Sequence, residues 1–235
     1  MCKWLLIVCF MTTLQSNSAT SLQNIVYLIP GQGGDERLFQ HITIDNHQIK
    51  HIKLEVPEKN ATLNEYAHAL STQIDTTLQF SIIGVSFGGM IAVEMAKFLS
   101  PEKVIIISSA KSASELPIRY QIARCLRLHK LVGGKFLKRS ANLARTLFEP
   151  DSRSESKVFK AMIDDLDPTY LIRAVDCIFK WKNSDYPKDI IHIHGEKDHT
   201  IPIRNIKNAI VVKNGSHMMV LTQGKKISAL INEHL

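Results

Sequence analysis

Ser81-Ile82-Ile83-Gly84-Val85-Ser86-Phe87-Gly88-Gly89 is the stretch on which the fold of this chain turns. Its first half is apolar and β-branched, the composition of a buried strand, and the residues that follow, Phe87 to Leu99, favour a helix. A serine on so sharp a strand-to-helix turn sits in strained backbone. Small residues at 84 and 88 let that turn close while the serine hydroxyl stands exposed at the carboxyl edge of a sheet. The Phe87 N–H then falls at a helix N-terminus, where it can stabilise negative charge developing on an oxygen. Ser86 is a candidate nucleophile and Phe87 a candidate oxyanion donor.

Working outward, short apolar runs alternate with helical stretches, the pattern of a parallel sheet covered by helices. Ile25-Val26-Tyr27-Leu28-Ile29, ended by Pro30-Gly31, reads as a buried central strand, and Ile49 to Leu54 as a second, stopped at Pro57. Leu63 to Thr76 is apolar at helical spacing, with Thr62 and Glu65 placed as a capping box. The strands Phe80 to Val85 and Val104 to Ser108 complete a βαβαβ series. Residues from Lys111 to about Asp185 change rhythm to helical spacing, with breaks expected at Gly133-Gly134, Pro150 and Pro168. Strands resume at Asp189 to His194 and Ala209 to Val212, and a helix from Met219 to Leu235, weakened at Gly224, closes the chain.

A serine hydroxyl needs a base to take its proton, and a histidine base needs a carboxylate to fix its tautomer. His217, in Gly215-Ser216-His217, lies between the last strand and the last helix and is the best placed base. The acid belongs on the turn after the preceding strand, where Gly195-Glu196-Lys197-Asp198 offers Asp198 first and Glu196 in reserve.

With Gly84-Val85-Ser86-Phe87-Gly88, Gly195-Glu196-Lys197-Asp198 followed by Ile201-Pro202, and Gly215-Ser216-His217 in this order, the chain resembles the α/β-hydrolases from Asn24 to Leu235. The resemblance implies a mainly parallel sheet of about six strands flanked by helices, with residues 111–185 as a helical lid between core segments 21–110 and 186–235. It implies a serine hydrolase acting on an ester-type acyl substrate, with no cofactor. It also implies an oxyanion turn after the first core strand, which here reads Pro30-Gly31-Gln32-Gly33-Gly34, making Gln32 the second donor. Pro30 stands where the family often has a histidine, which removes a side chain that would brace the turn.

Other readings are open at this level. An acyltransferase would use the same residues. His192, His194, Asp198 and His199 resemble a zinc run of metallo-hydrolases with two extra residues before the aspartate. A hydrolase fold can also serve as a non-catalytic binding module.

The chain has 235 residues, 45% hydrophobic and 22% charged, enough for one sizeable core. Its net charge of +7 is concentrated in the middle segment, at residues such as Arg119, Arg124, Arg127 and Lys130. Interleaved basic residues of this kind read first as a solvated helical face and second as a contact for a membrane surface or anionic lipid, with no nucleic-acid partner expected. Lys3, the apolar run Trp4 to Met11 and the small residues around Ser18-Ala19 form a secretory signal pattern over residues 1–20, so the chain is expected to be exported. Cys125 and Cys177 then remain as one disulfide or two free thiols.

Overall fold

The computed structural model describes residues 24–125 and 153–235; the expected signal segment, the expected breaks at Gly133-Gly134 and Pro150, and most of the basic middle segment lie outside them. Six parallel strands form one sheet: β1 Ile25–Ile29, β2 Gln48–His51, β3 Phe80–Val85, β4 Val104–Ile107, β5 Ile191–Gly195 and β6 Ile210–Val212. Their order is β2-β1-β3-β4-β5-β6. The chain runs outward from β1 to β2, then returns past β1 to lay β3 on its other side. Ligand sites of open α/β sheets lie beyond the carboxyl ends of strands at such a reversal.

Central strands β1, β3 and β4 are buried along their whole length, which explains why they read as unbroken apolar runs. Alternate residues feed two cores. Ile25, Tyr27, Ile29, Ile82 and Ile106 pack with helices α1 (Leu63–Ser71) and α2 (Phe87–Met95) on one face. Val26, Leu28, Ile83, Ile105, Ile107 and Ile193 face the C-terminal residues Met219, Val220, Ile227 and Ile231 on the other. Each fully buried aliphatic side chain contributes about 1.5–3 kcal/mol from the area it removes from water.

Element ends follow local chemistry. Thr62 caps α1 as expected: its hydroxyl accepts from Glu65 N–H at 3.2 Å, and the Glu65 carboxylate accepts from Thr62 N–H at 2.8 Å. Strand β2 stops at His51, shorter than the sequence reading, because it is an edge strand paired on one side only. Helix α2 ends at Met95 and relaxes into turns up to Leu99, whose N–H still reaches the Met95 carbonyl at 2.8 Å. The last helix divides at Gln223 into α6 (Met219–Thr222) and α7 (Gly224–His234). Gly224 is required there, since a Cβ would come within 2.5 Å of the His41 side chain.

Between β4 and β5 the described residues contain helices α3 (Ile118–Cys125), α4 (Arg153–Asp165) and α5 (Pro168–Lys180), and no strand. Pro168 starts α5 at its first position with Asp167 as the cap, so the expected break is a helix beginning. Helix α5 is tied to the loop before α1: Arg173 donates to the Pro57 carbonyl at 2.8 Å and Lys180 to that of Asn60 at 3.0 Å. Cys177 is buried and free, its thiol donating to the Ala61 carbonyl at 3.3 Å, so it forms no disulfide with Cys125. Leu116 and Met162 of this segment are buried, one in each core. No helix among the described residues is long and apolar enough to cross a membrane.

Candidate active site

Ser86 sits between β3 and α2 at φ 53, ψ −116, a conformation that costs a non-glycine residue about 1–3 kcal/mol. Close packing holds it there. A Cβ on Gly84 would lie 2.5 Å from the Gly88 carbonyl carbon and 2.6 Å from Gly89 Cα, and one on Gly88 would overlap the Ile29 and Pro30 carbonyl oxygens. The Ser86 N–H donates to Ile107 at 2.9 Å, and its carbonyl accepts from Gly89 N–H at 2.9 Å and from the Ser109 hydroxyl at 2.7 Å. Phe87 opens α2, so its N–H lies among the helix-terminal donors without an intrahelical partner.

His217 lies after β6 and Asp198 after β5, and neighbouring turns interlock. Glu196 N–H donates to Val212 at 3.0 Å and Lys197 N–H to Gly215 at 2.8 Å. The imidazole bridges the two candidates: Nε2 is 2.9 Å from Ser86 Oγ and Nδ1 is 2.8 Å from Asp198 Oδ2. A carboxylate accepts only, so His217 Nδ1 carries the proton and Nε2 presents its lone pair to the serine hydroxyl. The Asp198 side chain is wholly buried and that of His217 only 11% exposed. Burial alone would push the Asp198 carboxyl up; the charge and N–H of His217, together with His194 and the Ile201 N–H, outweigh it and hold the group below the usual carboxylate range. That amide reaches Asp198 Oδ1 at 2.7 Å. Glu196, the reserve acid, instead accepts from Asn214 N–H at 2.9 Å on the surface and stays outside this chain of contacts.

The turn bearing Gln32 lies against the serine. It closes by Gly34 N–H to the Gly31 carbonyl at 2.9 Å, leaving the Gln32 N–H unused by the turn, and a Cβ on Gly31 would stand 3.2 Å from Ser86 Cβ. Gly33 has φ 85, natural to glycine, and its missing Cβ would lie 2.5 Å from Ile163 Cδ1 of α4. Arg37, just after the turn, pairs with Asp35 and with Asp165 of α4 at 2.7 Å, tying the same two segments together.

His192 and His194 project from β5 to one face, but His192 Nε2 and both nitrogens of His194 are engaged with each other and with the acid turn, and His199 is exposed. The four residues of the zinc reading do not converge: among the described residues, no three His, Cys, Asp or Glu side chains are placed to share a metal. Arg119, one of the basic residues of the middle segment, donates to the backbone carbonyls of His199 (2.9 Å) and Thr200, binding α3 to the acid turn. Ser109, Arg119 and Arg37 act on backbone or distant loops, and no motif marks them. Only Ile201-Pro202, adjoining the acid, gave a local signal in the sequence.

No protein-family model matches the chain, and no curated protein sequence matches it. Solved structures do. MenH from S. aureus aligns with a TM-score of 0.69 at 15% identity, over 93% of this chain and 95% of that one. A thermophilic esterase from Thermogutta terrifontis aligns at 0.67 and 16%, over 89% and 88%. A lipase-esterase related protein from Clostridium acetobutylicum aligns at 0.66 and 14%, over 90% and 94%. Similarity at this level, over nearly the full length of each partner, concerns the path of the chain: this protein has the α/β-hydrolase fold.

Proposed function

We propose that the protein is a serine hydrolase that cleaves an ester-type bond of a small acyl substrate through Ser86, His217 and Asp198. The observation that carries this reading is the His217 ring, 2.9 Å from Ser86 Oγ on one side and 2.8 Å from Asp198 Oδ2 on the other. Similarly folded proteins include esterases, a bromoperoxidase and epoxide hydrolases, so the fold by itself leaves the reaction open and the residues must decide it.

In the first step His217 Nε2 takes the hydroxyl proton as Ser86 Oγ attacks the acyl carbonyl, and Asp198 stabilises the imidazolium. The N–H groups of Phe87 and Gln32 receive the oxyanion. The tetrahedral intermediate collapses to an acyl-serine as the imidazolium returns its proton to the departing alkoxide. Water then gives a proton to His217 and its oxygen to the acyl carbon, and the second tetrahedral intermediate collapses with the Oγ–acyl bond broken and that proton returned to Ser86 Oγ, releasing the acid. On this reading residues 111–185 are a lid over the site, residues 1–20 direct export, and the basic lid surface can rest on anionic lipid.

A fluorophosphonate probe should label the wild-type protein and not Ser86→Ala, and a chain-length series of nitrophenyl esters should be hydrolysed with a preferred acyl length. Ser86→Ala and His217→Ala should each lower kcat by about 10⁴–10⁶-fold while thermal stability is kept. Equal labelling of wild type and Ser86→Ala would refute the assignment of the nucleophile.

A further inference from the structure

We infer that His192 and His194 are positioning residues for Asp198, forming a buried relay of fixed tautomers that holds the acid in register with His217. The inference rests on the proposed triad and extends it inward. Five contacts carry it, and each proton in them is assigned by chemistry.

His194 is completely buried, and its Nε2 lies 2.8 Å from the Ile201 carbonyl oxygen. A carbonyl only accepts, so Nε2 bears the hydrogen. Burial disfavours the charged ring and keeps the His194 pKa below its ordinary value, which leaves Nδ1 as a lone pair. That lone pair is 3.1 Å from His192 Nε2, which must therefore be the donor. His194 is thus fixed as the Nε2–H tautomer with His192 as the donor to its Nδ1, and His192 Nδ1 is left buried without a hydrogen-bond partner.

The lock ends on the acid. Ile201 is gripped at both ends: its carbonyl accepts from His194, and its N–H donates to Asp198 Oδ1 at 2.7 Å. The other carboxylate oxygen, Oδ2, is 2.8 Å from His217 Nδ1 and 3.3 Å from the hydrogen-bearing edge of His194. Had His194 placed its hydrogen on Nδ1, a lone pair at Nε2 would face both the Ile201 carbonyl and the Asp198 carboxylate. Those two acceptors exclude that arrangement, and His192 completes the set by donating to Nδ1. A pair of histidines that merely filled space would not need this one combination of tautomers.

The test uses the full-length protein with His194→Leu, His194→Gln and His192→Leu, turnover of a nitrophenyl ester, and ¹⁵N–¹H shifts of His217 in histidine-labelled protein. His194→Leu should lower kcat on the order of 10- to 100-fold with KM unchanged, the size expected of a small displacement in a catalytic group. The His217 Nδ1–H resonance should move upfield as its hydrogen bond to Asp198 loosens. His194→Gln, whose amide can donate to the Ile201 carbonyl, should recover most of both signals. His192→Leu should show the same changes at smaller amplitude and decides the matter if His194→Leu fails to fold. Folded variants with wild-type kcat and an unmoved His217 resonance would overturn the inference, as would a folded His194→Gln no better than His194→Leu. Failure of the triad itself reads differently: wild-type protein would then resist the fluorophosphonate, while the His217 resonance would still report whether the histidine pair holds Asp198.

Discussion

Replacing Gly88 by alanine inserts one methyl group where β1 and α2 meet. Its carbon would lie 2.7 Å from the Ile29 carbonyl carbon and overlap the oxygens of Ile29 and Pro30, against 3.4–4 Å for ordinary contact. The obstacles are backbone atoms of a central strand, so relief requires β1 or α2 to shift by about 1 Å, not a side chain to rotate. Overpacking of this kind costs about 1–3 kcal/mol, and rigid backbone on the far side places the cost near ~3. Alanine's helix preference over glycine returns up to ~1 kcal/mol, leaving a net loss of roughly 2. For a chain of this length that lowers Tm by roughly 4–8 °C. Gly34→Ala is the internal control: its methyl would sit at 3.4 Å from the Gly31 carbonyl oxygen and Leu38 Cδ2, and the expected change is within ~0.5 kcal/mol. Because Ile29-Pro30 runs directly into the Gly31-Gln32 turn, Gly88→Ala should also lower kcat on an activated ester. Calorimetric melts of the two variants beside wild type decide the point. A Gly88→Ala protein that melts with or above Gly34→Ala would refute the packing argument.

Two other perturbations have opposite signs. Ser86→Gly should abolish turnover yet raise stability by about 1 kcal/mol, read as a higher melting midpoint, because glycine adopts φ 53 without the strain that serine bears. His192 is held neutral by burial, with the neighbouring His194 and Lys111 adding to the effect, and its pKa is pushed down to about 2. The unfolded chain therefore binds more protons than the folded one between about pH 2 and the ordinary histidine pKa of 6.5, and stability falls as pH drops through that window. From pH 7 to pH 5 this single residue should cost roughly 2 kcal/mol. His192→Leu should flatten that part of the stability–pH curve in urea melts, and an unchanged slope would count against the neutral assignment.

Much of this architecture is legible in the chain because the decisive segments have little freedom. Strands β1 and β3 are buried on both faces and end in residues that cannot continue them, Pro30-Gly31 and Ser86, so their limits coincide with the reading. Strand β2 and helix α1 end short of their apolar patterns because an edge strand and a surface helix stop where partners run out, which periodicity does not record. Ser86, Asp198 and His217 stand out since the chemistry asks for three residue types on strand-end turns, here those after β3, β5 and β6. The contacts that secure them are another matter. Ser109 on the Ser86 carbonyl, Arg119 on the acid turn and Ile201 on Asp198 are side-chain or amide bonds to backbone, and backbone has the same chemistry everywhere in a sequence. His192 and His194 are visible in the sequence as an alternating pair on one strand face, but His194 is already bonded to His192 and to the Ile201 carbonyl, which leaves it no nitrogen for a metal.

The close approach of Ile163 to Gly33 links two parts of the molecule that are far apart in sequence. The turn carrying Gln32 and helix α4 share one volume, so neither can be reshaped alone. A side chain at 33 would be strained by the backbone there and would also need a smaller residue at 163, so α4 must keep that niche filled. On the proposed reading, with Gln32 an oxyanion donor, any change to α4 at position 163 reaches the oxyanion turn, and mutations there should be chosen with position 33 in view.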